Sequence, residues 1–588
     1  MSTASIIPTP ATPDVCTLAL LVDGKDVSGD LQISTIAVNR ELNRIPTARI
    51  QVEDGEASKG TFTVSNSDRF VPGKTIEIKL GYRSQNETVF KGTIVKQRLS
   101  VRKSGAALHV ECSADAVKMT NARKSKYFID KKDSDIIEEL LDAHGIAKDV
   151  KPTTSSLKEV VQYDSTDWDF LLCRAEDNGY IVLVQDDKVR VAAPATSGSP
   201  ALKMAYGSTV LELDAEMDSR LQSKGVKASS WSAADQAKVD ADATEPKTPA
   251  AGNVAATDLA KVVGDDVNEI KHSGQLEQPA LQAWADARLL RMRLAKIRGR
   301  AKCQGLAAIL PDQLVEISGI GDRFAGQLYV SGVRHTVAGG NWETDVQFGT
   351  DPELFTETYN LRPLPAAGLL PVISGLQMGI VTDLEDPDSE FRIKCRLPLV
   401  SPNDDGVWAR LATLDAGVNR GTYFRPEIND EVVVGFLNED PCYPVILGMV
   451  HSSAKAAPEP AKNSNNTKGY VSREKIKITF DDDKKVMALE TPGGNKVTLS
   501  DDAKGIVLQD QNGNKITLDD NGIKIESAKD LTFKSSNDTK MSAQNAEISA
   551  QTGFKASGTS TAEVSGGTTT ISGNSMASVK GPQVSVGP

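Results

Sequence analysis

The chain has 588 residues, a formal net charge of −12, 39% apolar, 25% charged and only 5% aromatic residues. That length makes three or four domains with proper cores. The acidic balance argues against a general nucleic-acid binder, which needs surplus Lys and Arg to displace counterions. The six cysteines (Cys16, Cys112, Cys173, Cys303, Cys395, Cys442) are widely spaced with no CxxC. They read as reduced core residues rather than a disulfide framework or zinc site. MSTASIIPTPATPD lacks the basic start and apolar run of an export signal. No stretch reaches the roughly 18 apolar residues of a membrane span. Synthesis in the cytoplasm without a signal peptide is the expectation.

Residues 1–14 read as an N-terminal tail. From 15 to 115, CTLALLV, ARIQV, KTIEIKLGY, ETVFKGTIVKQRLSV and ALHVECSAD read as strands separated by Gly, Asn and Asp. DSDIIEELLDAHG (133–145) reads as an amphipathic helix capped by Asp133 or Ser134, with Ile136, Ile137, Leu140 and Leu141 as its buried stripe. A second helix with a Ser/Thr cap is expected in 165–185, stopped at Gly179. Segment 229–260, rich in Ala, Asp, Thr and Pro, reads as an insertion or mobile loop. A helix is expected over 279–300; its cations Arg288, Arg291, Arg293, Lys296 and Arg298 read as a solvated face or a complement to the helix dipole, with an acidic partner surface as the alternative. Five short strands between 376 and 451 suggest a small closed barrel. Residues 455–466 form a linker.

The last region, 467–588, repeats. GNKVTLSDD (494–502) returns as GNKITLDDN (513–521). Beyond Ile516, Leu518 and Ile525, apolar residues recur about every eight positions: Phe533, Met541, Ile548, Ala556, Val564, Ile571, Val579 and Val586. Each unit reads as one short strand and a turn. A strip of this kind leaves edges open and buries too little apolar surface by itself. A single-chain solenoid would hold fewer than three coils here. Three chains wound into one prism give every strand a partner, and that arrangement is expected.

The carboxylates Asp501–Asp502, Asp519–Asp520 and Asp481 to Asp483 could serve as acid and base on a glycan or ligate calcium. Each follows a strand, where Asp is a good turn residue. The five histidines are isolated, and no P-loop, GxSxG or GxGxxG stands in a strand–helix context. The small barrel has few aromatics and more acids than bases, which disfavours stacking on nucleic acid. No catalytic, cofactor-binding or metal residues are expected.

The order of barrel-like domains, small barrel and terminal strand repeat resembles the VgrG-type spike proteins of contractile injection systems: type VI secretion, extracellular phage-tail-like particles and contractile phage hubs. GVWARLATLDAGVNRGTYFRPEINDEVVVGFLNEDPCYPVILGMVH (406–451) carries the most specific match, at Trp408, Phe424, Pro426, Glu427, Asp430, Glu431, Val432, Asp440, Pro441, Pro444, Val445 and Gly448. DSTDWDFLLCRAEDNG (164–179), VFKGTIV (89–95) and LYVSGVRHTV (328–337) give weaker matches. Asp312 departs from a Pro-Gly turn often found there.

The resemblance implies a mainly β chain: a hub of two barrel-like domains with short helices at 15–370, an OB-fold barrel at 371–454 and an intertwined trimeric β-prism needle at 467–588. It implies a homotrimer that adapts a hexameric inner tube and baseplate proteins to a threefold needle. The needle would pierce a target membrane, receive a PAAR-type tip protein and carry effector cargo, within a particle released on firing or lysis. The needle core would comprise Ile516, Leu518, Ile525, Phe533, Met541, Ile548, Val564, Ile571, Val579 and Val586. No lysozyme domain fits between barrel and needle, no C-terminal toxin and no histidine tip metal are expected, and the spike would act without enzymatic activity or nucleic acid. The alternative is a trimeric tailspike-like protein that binds or cleaves glycans.

Overall fold

Alternating apolar residues punctuated by Gly, Asn and Asp produce a mainly β architecture. The computed structural model describes residues 5–7, 15–186 and 188–587. Most of the expected tail therefore lies outside the described residues, although residues 5–6 pair in parallel with the strand Leu202–Ala205. The chain divides into two compact units. The first comprises 1–378, 382–423 and 434–447; the second comprises 379–381, 424–433 and 448–588. The small barrel thus contributes chain to both.

Two β bodies dominate the first unit. In one, the antiparallel strands Cys16–Val22, Ile33–Glu41, Thr47–Asp54, Thr75–Tyr82, Gln85–Arg102 and Gly105–Ser113 enclose Leu20, Ile36, Ile50, Ile78, Phe90 and Val110. In the other, Glu212–Glu216, Arg298–Gln304, Leu314–Ser318, Gly326–Ala338 and Asn341–Phe348 surround Ala301, Val315, Val330, Val346 and Phe348. Pairing of Gly326–Ala338 with Ile33–Glu41 joins both into one sheet.

The helix Asp133–Asp142 buries Ile136, Ile137, Leu140 and Leu141 as its spacing requires. Its cap differs from expectation. Asp133 is the first helical residue, and its carboxylate accepts hydrogen bonds from Arg174 (2.6 and 3.0 Å) and Asn178 (2.8 Å). Pairing of this 6%-exposed carboxylate outweighs a solvated capping role. The second helix, Asp167–Asp177, starts on Thr166, whose hydroxyl accepts from the Asp169 N–H at 3.1 Å. It ends at Gly179, in the left-handed region at φ 65°.

Segment 229–260 is structured rather than a loop. It carries most of a hairpin (Gly225–Ser232 with Ala237–Asp242) and the helix Ala256–Val263. The helix Gln278–Leu294 covers that hairpin, and Val226, Ala228 and Ala241 meet Leu281, Ala285 and Leu289. Small residues suffice in a sheet when the opposing helix supplies the apolar bulk. The expected long helix stops at Leu294, and Arg298 begins a strand. Its cations form ties instead of a solvated face. Arg293 is buried and bonds Glu245 (2.6 Å) and the Ser223 carbonyl (3.0 Å), Arg291 pairs with Glu176 (2.7 Å), and Lys296 donates to the Ala251 carbonyl (2.6 Å). Asp312 adopts the left-handed conformation (φ 65°) that a Gly would take; Tyr329 Oη (2.8 Å) and the Ala195 N–H (2.8 Å) hold its carboxylate.

Strands 377–383, 393–396, 407–411, 444–449 and 431–436 close the small barrel in that order. Val381, Ile393, Ala409, Val432 and Ile446 are fully buried. After it, seven five-residue strands from Thr467 to Glu526 run as an antiparallel meander.

Candidate spike interface

The motif residues of the barrel build turns. Asn429 sits in the left-handed region (φ 70°), the Asp430 carboxylate accepts from the Glu427 N–H (2.9 Å), and the Asp430 N–H returns to the Glu427 carbonyl (2.9 Å). With Pro426 buried, this turn aims two side chains at the start of the repeat. The Phe424 ring lies 4.7 Å from that of Tyr470, and the Glu427 carboxylate accepts from Arg473 at 2.9 Å. Glu431 opens a strand, and its carbonyl accepts from the Val450 N–H at 3.3 Å. The Asp440 carboxylate accepts from the Cys442 N–H (2.8 Å), closing the Asp440–Pro441 turn ahead of buried Pro444. Trp408 lies under Arg392 and Lys394, at 5.9 and 5.7 Å from its ring. Two hydrogen bonds from Arg392 hold the Asp386 carboxyl well below the usual carboxylate range. Gly448 has no neighbour within 4 Å of where a side chain would start, so the single chain does not itself require glycine there.

The meander separates its residues onto two faces. One face carries two cross-strand rows. The first is Tyr470, Ile478, Leu489, Val497, Leu508, Ile516 and Ile525; the second is Phe480, Met487, Leu499, Ile506, Leu518 and Ile523. The first row floors an open groove of about 780 Å³, and Leu508 remains 41% exposed. The opposite face carries Lys477, Glu490, Lys496, Gln509, Lys515 and Glu526 in register, an alternating ladder that offers water a charged surface. The repeat encoded this ladder, since Lys496 and Lys515 hold equivalent places in GNKVTL and GNKITL. The sequence reading missed it, along with the Tyr470 and Arg473 contacts.

Of the expected needle core, Ile516, Leu518 and Ile525 stand on these apolar rows. Phe533, Met541, Ile548, Val564, Ile571, Val579 and Val586 follow in a segment with no paired strand among the described residues, each more than two-thirds exposed. The backbone there bends at 528–529, 536–537, 544–545, 551–552, 559–560, 567–568 and 574–575, once every seven or eight residues. Gly558 and Gly573 precede two of those corners, where a Cβ would fall 2.0 Å from the Thr561 carbonyl and 2.6 Å from that of Met576. The Asp pairs act as turn residues: Asp481 accepts from the N–H groups of Asp483 and Lys484 (both 3.1 Å), and Asp519 from that of Asn521 (2.8 Å). Among the described residues, no cluster of three or more His, Cys, Asp or Glu is placed to hold a metal ion.

Three family descriptions match successive stretches: the Alg8 N-terminal domain over 12–339, the type VI secretion system/phage-baseplate injector OB domain over 377–451, and the phage baseplate V C-terminal trimerisation domain over 486–587. The chain belongs to the Alg8 N-terminal-domain family and is a VgrG-type spike protein. Its OB-domain and trimerisation matches are to domains of type VI secretion and phage-baseplate spikes. Curated relatives include two type VI secretion system spike proteins of Pseudomonas aeruginosa. VgrG1b is 27% identical over 198 residues and VgrG1c 29% identical over 127, covering 31% and 20% of this chain. The chain spans only 26% and 17% of the length of those two spikes. A solved 43 kDa tail protein of prophage MuSo2 from Shewanella oneidensis is similar at 11% identity and TM-score 0.43, covering 57% of this chain and 98% of that protein. The matched trimerisation stretch holds the apolar rows from Met487 onward and the bends.

Proposed function

We propose that three copies of this chain wind their 467–588 segments into one β-prism, the needle of the spike. The observation that carries this reading is the pair of apolar rows left exposed on one face of the meander, continued by an eight-residue apolar spacing with a bend in every unit. Two further chains supply what one lacks, a cover for the apolar face and edges for the unpaired segments. The hub adapts a hexameric inner tube to this threefold needle, and the needle pierces a target membrane mechanically. A tip protein of the PAAR type and effector cargo are its further partners. The spike works without catalysis; its Asp481 and Asp519 carboxylates serve turns at strand ends. It assembles in the bacterial cytoplasm and acts from an injection particle.

Solution mass tests the reading. The full chain is expected near three times 62.8 kDa, and a chain truncated after Ser453 is expected to associate more weakly. A full chain that stays monomeric at micromolar concentration sinks it.

A further inference from the structure

Among the hub's open strand edges, two in the described residues carry complementary chemistry. The strand Gln85–Arg102 is long because it serves two neighbours in turn. Residues 85–93 pair with Thr75–Tyr82, and from Thr93 onward, through a register shift between Ile94 and Lys96, the strand pairs with Gly105–Ser113. From Lys96 to Arg102 its other edge therefore meets no strand among the described residues. The second open edge is Glu212–Glu216, which pairs only with Arg298–Gln304 among the described residues.

Alternation places Lys96, Arg98 and Arg102 on one face of the first edge, and Glu212, Asp214 and Glu216 on one face of the second. Lys96 already meets Glu111 of the neighbouring strand at 3.4 Å, while Arg98 and Arg102 make no ion pair among the described residues. The three acids remain more than half exposed although Lys302, Arg300 and Arg298 pair with them from one side. Opposite faces are apolar. Leu99 continues the row of Leu108 and Val52 yet is 45% exposed, Val101 is 63% exposed, and Leu211 beside the acidic edge is 56% exposed. Barrel-core rows that run out into water at an unpaired edge mark a site for strand addition.

We propose that the basic edge 96–102 of one copy pairs with the acidic edge 212–216 of the next copy. Three such contacts between unlike surfaces close a ring around the threefold axis. Each contact sets Lys96, Arg98 and Arg102 against the three acids and covers Leu99 and Val101. The inference rests on the trimeric reading above. The occupant is a second copy because one chain carries both halves of the complementarity; an edge built for an unrelated protein would not require a matching acidic edge on the same hub.

Cysteine crosslinking on the full chain tests it. Arg98→Cys, Ser100→Cys or Arg102→Cys is combined with Asp214→Cys, oxidised mildly and resolved without reductant, with each single variant as control for the exposed native Cys442. At least one combination is expected to yield covalent dimers and trimers that neither single variant gives. Adding Lys96→Glu, and a Glu at whichever of Arg98 and Arg102 does not carry the cysteine, is expected to reduce the crosslinked fraction at least tenfold, while the solution mass stays trimeric through the needle. A trimer by mass with no pair-dependent crosslink in any of the three combinations overturns this interface and leaves the trimer standing. A monomer by mass overturns both.

Discussion

The hub and the needle solve the same problem in opposite ways. In the first unit the large apolar clusters among the described residues are enclosed mainly by the chain's own elements, and Phe348, Ile50 and Leu141 are almost wholly buried. The meander has equally regular alternation, yet most of its apolar face stands half in water. Amphipathic strands alone therefore do not make a finished domain. The hub's apolar clusters are enclosed on several sides by its sheets and helices, whereas the single meander of five-residue strands leaves its apolar face uncovered. The folding of the first rests on one chain's own cores; the stability of the second depends on concentration.

Charge on the needle face breaks that comparison most severely. Leu508→Lys or Ile516→Asp places an ion on a row that the proposed trimer buries, at a cost of several kcal/mol in each of three copies. Loss of association is expected, with the hub melting transition unmoved; sedimentation and calorimetry read the two. A hub that destabilised in parallel would show that the two regions are not independent.

Phe348→Ala is the reciprocal change. Removing this buried ring is expected to destabilise the hub by about 3–5 kcal/mol. The shift should be the same across a hundredfold range of protein concentration, whereas the needle transition should move with concentration.

Protonation gives a graded version of the same contrast. His335 is enclosed in the hub, its Nδ1 3.0 Å from the Thr344 hydroxyl, and burial together with the nearby Arg40 charge pushes its pKa down to about 3. The unfolded chain takes up a proton near 6.5 and the folded hub does not. The stabilising contribution is thus complete above pH 6.5 and is lost as pH falls through the window from 6.5 towards 3. At pH 5 the loss is about 2 kcal/mol. The hub melting temperature should fall between pH 7 and 5, with a shallower slope in His335→Gln, and no described histidine in 467–587 gives the needle such a term.

Much of this design was legible in the sequence. The five barrel strands appeared because Gly, Asp and Pro punctuate them, and the stripe of Ile136, Ile137, Leu140 and Leu141 appeared because helices bury at 3.6-residue spacing. The needle period was visible because every corner interrupts the apolar spacing. Segment 229–260 was illegible for a physical reason. Its Ala and Ser residues advertise no core, since Leu281 and Leu289 on a distant helix provide the bulk. The cations at 288–296 misled in the same way, because a buried guanidinium and an exposed one look alike until Glu245 and Glu176 are placed beside them. Phe424 and Glu427 were found as a motif, but their contacts, Tyr470 and Arg473, required the fold.

That last pair of contacts yields the smallest predicted effect and locates where barrel motif and repeat are coupled. The Phe424–Tyr470 rings meet in a tilted geometry, worth about 0.5–1.5 kcal/mol beyond simple burial. The Glu427–Arg473 pair is at least half exposed on both sides and is worth a few tenths of a kcal/mol, less as salt rises. Double-mutant cycles on the thermal transition of the repeat, Phe424→Ala with Tyr470→Ala and Glu427→Gln with Arg473→Gln, should show coupling for the rings and almost none for the ions. The ordering matters more than the sizes. If the ions couple more strongly than the rings, water is excluded from this junction in the assembled spike, and the contact is buried by a neighbouring copy. If neither couples, the turn at Asn429 and Asp430 alone positions the motif, and Phe424 is conformationally independent of the repeat.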